Sequence, residues 1–264
     1  MLIKLLIPAT LAAGLIAPAA FNGGFHGGGG QMPGAILEAK LKLSAEQKTA
    51  IHAVYKRHKP ALATKVEALV QARDVALDAG MDPAVLQETW RAQQELMADA
   101  IYDVAKEVRS AYLEALPTLT DSQKAEGKAL LKKAHSHMEG MHGRHHEFAL
   151  RFVANRLELT DTQVTAIQTV LDNHKNALTA KKETLHKAMT AAMEAAIDPA
   201  TSQVILDQRY GTVKEAGFAL SAEVRAAYLE IVPQLTPEQR EAAKGLMKDF
   251  RNAVDGVRKL ALGF

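Results

Sequence analysis

The chain is constrained most by an internal repeat with a period of 116 residues. The string LSAEQ at 43–47 aligns without a gap to LTDTQ at 159–163. Likewise, EVRSAYLEALPTLTDSQ at 107–123 aligns to EVRAAYLEIVPQLTPEQ at 223–239. This period is too long for a solenoid repeat and matches the size of a small domain. We therefore expect two copies of one domain-sized unit.

The composition favours helices in both copies. The 264-residue chain is 48% hydrophobic but only 5% aromatic, and its abundant alanine is typical of helices that pack through small side chains. A formal net charge of +2 does not predict a nucleic-acid-binding surface. The absence of cysteine excludes disulfides, cysteine nucleophiles, iron–sulfur clusters and cysteine-ligated zinc.

The sequence of each copy predicts four helices, with two proline-containing breaks between them. Asp82-Pro83 and Asp198-Pro199 separate two long helices, because aspartate is a good N-cap and proline a good first helical residue. Pro117 and Pro233 end the second long helix, since proline is disfavoured inside a helix. The predicted helices are a short one near 35–41 and 147–157, a long one at 45–79 and 161–196, another ending near 116 and 232, and a last one from 121 and 237. The predicted fold is all-α, with two tandem four-helix units, each built on a long antiparallel helical hairpin.

The N-terminal segment is typical of an export signal. Lys4 gives a positive start, and Ala17-Pro18-Ala19 supplies the small residues that signal peptidase needs. The apolar stretch between them is shorter than the ~20 residues of a bilayer span, although an N-terminal anchor helix is the alternative. We expect a periplasmic protein with no membrane span after signal cleavage. The predicted division is a signal peptide at 1–20, a glycine-rich flexible leader at 21–34, a first unit at 35–134, a junction at 135–146 and a second unit at 147–264.

Four strings of the form LTxxQ begin predicted helices: LSAEQ, LTDSQ, LTDTQ and LTPEQ. The hydroxyl residue suits an N-cap and the glutamine three residues later suits N3, so each string predicts a capping box. We expect the leading leucine to pack inward. The positions are Leu43, Ser44 and Gln47; Leu119, Thr120 and Gln123; Leu159, Thr160 and Gln163; and Leu235, Thr236 and Gln239.

This pattern resembles the Spy/CpxP family, which is named for two LTxxQ motifs per chain. The resemblance covers 35–133 and 150–250. It implies thin, curved, cradle-like units that usually pair as homodimers. Two units in one chain therefore imply a covalent pseudo-dimer, either monomeric or itself a homodimer. The resemblance further implies an ATP-independent chaperone or a partner of an envelope-stress sensor kinase, and some relatives bind zinc or sense nickel or cobalt.

Apolar residues at helical spacing mark a stripe on each long helix, as at Val54, Tyr55 and Leu62. This stripe is either the core of the hairpin or, where a thin hairpin leaves it exposed, a binding surface. Together with nearby cations it predicts a surface for unfolded envelope proteins that needs no nucleotide. The candidate client-binding residues are Tyr55, Lys59, Arg109, Tyr112, Lys175, Arg225 and Tyr228.

Some of these positions have a second interpretation. Arg109 and Tyr112 share a helix face and alternatively clamp the last helix onto the hairpin. His58 and His174 lie on the stripe in both copies, either as buried, hydrogen-bonded histidines or as ligands.

The junction holds five of the ten histidines within 12 residues. Imidazole suits zinc, copper or nickel, and thioether suits copper(I), so the segment predicts a metal site. The alternative is a solvated linker, which Gly140 and Gly143 favour because they oppose a rigid helix. The candidate ligands are His135, His137, Met138, Met141, His142, His145 and His146.

No catalytic set is evident, so we predict that the protein is not an enzyme. An E-x-x-H string at 183–186 has no histidine at the equivalent 67–70, which argues against a di-iron site. The main functional hypothesis is an ATP-independent periplasmic chaperone that requires no cofactor. The alternative is a metal-binding or metal-sensing regulator that uses zinc, copper or nickel at the junction.

Overall fold

The computed structural model describes residues 40–140 and 152–262, which are helical apart from turns and short connections. No strand occurs in these two ranges, and the all-α prediction is confirmed. The helices are α1 (Ala45–Met81), α2 (Gln87–Ala115), α3 (Asp121–Gly140), α4 (Asp161–Ala196), α5 (Gln203–Ile231) and α6 (Pro237–Leu262).

Several predicted segments fall wholly or partly outside these ranges. The signal peptide at 1–20 and the leader at 21–34 lie outside the described residues, as does almost all of the short helix near 35–41. Of the short helix near 147–157, the structure describes a helical turn at 152–156. The backbone of α3 continues to Gly140, so residues 135–140 of the predicted junction are helical, whereas Gly143 lies outside the described residues.

Each unit is a hairpin of two long helices with its own buried core. In the first unit, α1 and α2 enclose Leu69, Ala76, Met97, Ile101 and Val104. In the second unit, α4 and α5 enclose Leu178, Leu185, Ala188, Met189, Val213, Ala216, Leu220 and Val224. None of the buried clusters within the described ranges contains residues from both hairpins. Each unit therefore has its own core, and the two units contact each other through residues outside these clusters.

The ends of the long helices follow local chemistry, with one correction. As predicted, α2 and α5 end just before Pro117 and Pro233, each of which lies in a short 3₁₀ turn. Asp82, however, does not cap α2, because its carboxylate accepts the N–H of Ala84 at 2.9 Å and forms a turn instead. The N-cap of α2 is Leu86, without a side-chain cap. The equivalent Asp198 accepts the N–H of Ala200 at 3.0 Å, and Ser202 caps α5.

The first long helix tolerates a proline in its interior. Pro60 lies within α1, although it has no N–H to donate to the preceding turn. The equivalent position in α4 is Asn176, so the second copy lacks this interruption. In the described parts of the chain, no helix is sufficiently long and apolar to cross a bilayer.

Candidate functional site

The glutamines of the LTxxQ strings bind each other in pairs within each unit. Gln47 donates from Nε2 to Oε1 of Gln123 at 2.8 Å, and Gln123 donates back at 3.1 Å. Gln163 and Gln239 repeat the pair in the second unit at 2.8 and 3.1 Å. Each unit thus joins the start of its first long helix to the start of its last helix through two side-chain amides.

The paired amides use all of their hydrogen-bonding groups. The second Nε2 hydrogen of Gln47 binds the carbonyl of Thr118 at 2.8 Å, and its Oε1 also accepts the backbone N–H of Ser44 at 3.0 Å. Gln123 binds the carbonyl of Leu41 at 3.1 Å and accepts the N–H of Thr120. Since an amide has two donor hydrogens and two acceptor lone pairs, each pair is fully satisfied.

The capping boxes that the sequence predicts are present. The side chains of Ser44 and Thr160 accept the N–H of the glutamine three residues later, and each glutamine returns the bond. Thr120 and Thr236 make the same two bonds at the starts of α3 and α6. The leading Leu235 is 5% exposed in a small core. Sequence reasoning found the caps and missed the glutamine pairs, whose members are 76 residues apart in both units.

The two units are joined by a contact that we call the first clasp. It consists of Arg109 and Tyr112 on α2 and the turn 196–201 of the other unit. Arg109 donates to the carbonyls of Ala196 at 3.1 Å, Asp198 at 3.3 Å and Thr201 at 3.0 Å. Tyr112 donates to the carbonyl of Ile197 at 3.1 Å. The carbonyls at the end of α4, which have no partner within their own helix, are thereby satisfied by the first unit.

The second clasp is the equivalent contact in the opposite direction, between Arg225 and Tyr228 on α5 and the turn 81–87 of the first unit. Arg225 donates to the carbonyl of Val85 and to Oε1 of Gln87, both at 2.7 Å. Tyr228 donates to the carbonyl of Met81 at 2.8 Å. The two clasps are therefore related by the repeat, as in a twofold dimer interface.

These contacts correct one interpretation. The described hydrogen bonds of Arg109, Tyr112, Arg225 and Tyr228 run to the other unit's turn and do not fasten the last helix onto the hairpin. Because all four side chains donate hydrogen bonds to the other unit's turn, client binding by them requires an open clasp. That role stays a prediction.

Aromatic and charged contacts lie between the clasps. The rings of Tyr102 and Tyr210 stack with centroids 4.0 Å apart and planes 8° from parallel. Lys214 pairs with Asp99 at 2.9 Å. These residues hold α2 against α5, and sequence reasoning missed them because their partners lie in different units.

A second cross-unit ion pair involves the last helix. Arg251 on α6 pairs with Asp78 on α1 at 2.7 Å. The last helix of the second unit therefore contacts the first unit's hairpin.

Comparison with known proteins agrees with this duplicated architecture. The family model described as "LTXXQ motif family protein" matches twice, over residues 29–131 and 145–247. The chain belongs to the LTXXQ motif family. It carries two copies of the family's unit. No curated protein and no solved structure matches it significantly.

In both units of this LTXXQ protein, a histidine bridges two glutamates of the neighbouring helix. His58 contacts Glu107 through Nδ1 at 2.7 Å and Glu114 through Nε2 at 2.8 Å. The hydrogen bonds to Glu107 and Glu114 raise the pKa of His58 above its usual range. Lys65 lies 2.5 Å from Glu107, and hydrogen bonds from Lys65 and His58 lower the pKa of Glu107.

The second unit repeats this arrangement at His174, whose nitrogens lie 2.6 Å from Glu223 and 3.1 Å from Glu230. Burial opposes the charged form of His174, but these hydrogen bonds raise its pKa on balance. The hydrogen-bonded interpretation of His58 and His174 is the one that the contacts support, and both side chains are only 13% exposed.

Several large apolar side chains remain exposed on the LTXXQ hairpins. The exposed set is Tyr55, Val75, Leu86, Leu96, Phe152, Val204 and Ile205. Among the remaining client-binding candidates, Tyr55 is 45% exposed, Lys175 is exposed and Lys59 is half-buried. Exposed apolar side chains are thus available both outside the clasps and, at Leu86, in the turn of the second clasp.

The predicted metal ligands cannot be placed by side-chain geometry. His135, His137, Met138, Met141, His142, His145 and His146 lie outside the residues whose side chains the structure describes. Among the side chains that it does describe, no group of three or more histidines or carboxylates is arranged to hold a metal. In the E-x-x-H string of α4, Glu183 pairs with Lys187 at 2.7 Å.

Proposed function

We propose that this LTXXQ protein is a periplasmic, ATP-independent chaperone that binds unfolded proteins on the exposed apolar surface of its paired hairpins. The observation that supports this function is the exposure of Leu86 (71%), Val204 (65%) and Leu96 (58%) in a chain of this family. Clusters of exposed large apolar residues commonly mark binding surfaces.

The thinness of each unit accounts for the exposure. A hairpin buries the facing stripes of two helices, as at Met97 and Ile101, and leaves neighbouring positions such as Leu96 in water. Covering one such side chain with a client contributes roughly 1.5–3 kcal/mol. Several weak contacts of this kind give reversible binding without strict sequence demands, since apolar burial is non-directional.

The clasps support the proposal by holding the two hairpins together. Arg109 and Arg225 bind the turns of opposite units, so α2 and α5, which carry the exposed Leu96 and Val204, are held together. Lys175 adds an exposed cation on α4. The client-binding candidates Tyr55 and Lys59 lie on α1, away from the clasp residues in sequence.

The test is suppression of client aggregation without nucleotide. A denatured client protein is diluted into buffer with an equimolar amount of the LTXXQ protein, and light scattering is followed. The wild type is expected to slow aggregation. Leu96→Ser with Val204→Ser is expected to weaken this protection, because the apolar contacts are lost.

The matched control changes exposed polar residues on the same two helices, Thr89→Ser with Gln208→Ser. This variant is expected to protect as well as the wild type, and circular dichroism checks that all variants stay helical. Wild-type protein that leaves aggregation unchanged would contradict the chaperone proposal, as would equal protection by both double variants.

We also propose that the junction binds zinc or copper, because five histidines and two methionines lie between 135 and 146. Titration calorimetry with each ion tests this proposal. A dissociation constant above ~100 µM would indicate adventitious binding only. Replacing His142, His145 and His146 by alanine is expected to weaken metal binding and to leave client protection unchanged, which separates the two functions.

A further inference from the structure

The contact between Tyr102 and Tyr210 joins the two units through two phenol rings. The rings are nearly parallel, with centroids 4.0 Å apart, so carbons of one ring lie in contact with carbons of the other. Tyr102 belongs to α2 and Tyr210 to α5, and both are only partly buried. The proposed client-binding surface uses neither ring.

The hydroxyl of Tyr102 has a proton acceptor in place. It donates a hydrogen bond to the carboxylate of Asp207. Nε2 of Gln203 donates to the Tyr102 oxygen at 2.9 Å and to Asp207 at 2.8 Å. The hydrogen bond from Tyr102 lowers the pKa of Asp207, so this carboxylate is ionised at neutral pH. Burial, together with Asp207, raises the pKa of Tyr102 to about 12, so the phenol keeps its proton until it is oxidised.

We propose that Tyr102 and Tyr210 form an oxidative cross-linking site, at which a one-electron oxidant joins the two units by a carbon–carbon bond between the rings. The oxidants are of the radical or high-valent haem class. Each phenol gives up one electron to the oxidant and loses its hydroxyl proton. Asp207 accepts the proton of Tyr102, whereas the hydroxyl of Tyr210 donates to the carbonyl of Ala98, so its proton passes to solvent after this bond breaks. The two phenoxyl radicals then couple at the carbons beside their oxygens. The ring hydrogens at these carbons move to the oxygens, so the product has two fewer hydrogens than the starting pair.

The surroundings select this pair among the tyrosines. In the hydrogen bonds that the structure describes, the hydroxyl of Tyr102 donates to a carboxylate, whereas those of Tyr112, Tyr228 and Tyr210 itself donate to backbone carbonyls, which are much weaker bases. Tyr210 is selected by its stack on Tyr102 and not by a base of its own. Lys106 lies 4.8 Å from the Tyr102 centroid and opposes loss of an electron. Transfer of the proton to Asp207 offsets this effect, because it removes the positive charge from the oxidised phenol.

The bond would lock the hairpins in their closed arrangement. The contacts between the units are hydrogen bonds, ion pairs, cation–π contacts and this stack, without a shared buried cluster among the described residues. A covalent link between 102 and 210 would keep the units together when those contacts break. The linked protein is therefore expected to melt at a higher temperature than the unlinked protein.

The experiment oxidises dilute full-length protein with photoexcited tris(bipyridyl)ruthenium(II) and persulfate. Trypsin cleaves after Arg91, Lys106, Arg209 and Lys214, so the product is a linked pair of the peptides 92–106 and 210–214, lighter by two hydrogens than their sum. It is expected in the monomer band and with dityrosine fluorescence. Tyr102→Phe and Tyr210→Phe are each expected to lose it, and the control Tyr55→Phe is expected to keep it.

Two results would overturn the proposal. One is wild-type protein in which other tyrosines are oxidised but the 102–210 pair is not linked. The other is a linked product that appears only between chains. Asp207→Asn, checked for unchanged helicity, is expected to slow linking several-fold, and an unchanged rate would refute the assigned role of Asp207.

Discussion

The two clasps use the same residue types in different surroundings. Arg225 is 7% exposed and lies over the indole of Trp90, 5.4 Å from the ring centroid. Arg109 is half-buried, and the residue at the position equivalent to Trp90 is Leu206. The duplication has thus kept an arginine and a tyrosine that bind the opposite turn, and changed the packing around them. Arg109 donates to three carbonyls and Arg225 to one carbonyl and a glutamine side chain, so the arginine with fewer hydrogen bonds is the one that is more deeply buried.

The packing difference involves a second position. Gly80 lies beside Trp90, and a Cβ built at Gly80 would come within 3.2 Å of the indole Nε1. In the second unit the corresponding residues are Ala196 and Leu206. At these two positions the first unit therefore combines glycine with tryptophan, and the second unit combines the larger alanine with the smaller leucine.

The largest expected difference between the clasps comes from removing each arginine. Arg225→Ala is expected to lower the free energy of unfolding by about 3 kcal/mol, because charged hydrogen bonds and a cation–π contact are lost in a buried site. Arg109→Ala is expected to cost about half as much, since that site is wetter and has no indole. Urea denaturation measures the free energy of unfolding of both variants. Equal losses would show that burial and the indole of Trp90 do not strengthen the second clasp.

The next prediction tests whether Gly80 and Trp90 act together. Gly80→Ala in the wild type is expected to destabilise by about 1 kcal/mol, because the new methyl group crowds the indole. In the Trp90→Leu background the same change is expected to stabilise by up to ~1 kcal/mol, since alanine is the better helix former. A double-mutant cycle by urea denaturation measures the coupling, and an effect of the same sign in both backgrounds would contradict it.

The tyrosines of the clasps offer a smaller comparison. Tyr228→Phe removes a 2.8 Å bond to the carbonyl of Met81, and Tyr112→Phe removes a 3.1 Å bond to that of Ile197. Each change is expected to cost about 1 kcal/mol, with the larger loss at Tyr228. Thermal melting, monitored by circular dichroism, measures which of the two variants loses more stability. A larger loss at Tyr112 would show that bond length is not decisive.

The smallest difference in stability between the two units is expected at His58 and His174, which make equivalent contacts in both units. The pKa values of His58 and His174 are raised in the folded state, so their stabilising contribution is fully present below the unfolded pKa near 6.5 and is lost as the pH rises through the folded pKa. His58→Gln and His174→Gln are expected to destabilise equally near pH 6 and progressively less at higher pH. Urea denaturation across this range measures the loss, and a growing penalty with pH would contradict the sign.

Local features of the fold were predictable because their partners are close in sequence. The capping boxes at Ser44 and Thr160 depend on residues three positions apart, and Pro117 ends α2 through its own ring. The N-cap prediction at Asp82 was wrong, because the carboxylate bonds to the N–H two residues later, which is an equally local alternative. Local chemistry thus limits which residues can cap a helix but does not always determine which residue does.

The sequence by itself determined the duplication, the all-α class, the helix-ending prolines and the capping boxes, since each follows from the period or from neighbouring residues. Only the tertiary structure decided that the glutamines pair, that Arg109 and Arg225 reach the turns of opposite units, and that Tyr102 stacks on Tyr210. The physical reason is that these bonds join groups far apart along the chain. Their formation depends on how the helices cross, which is set by the packing of the whole molecule.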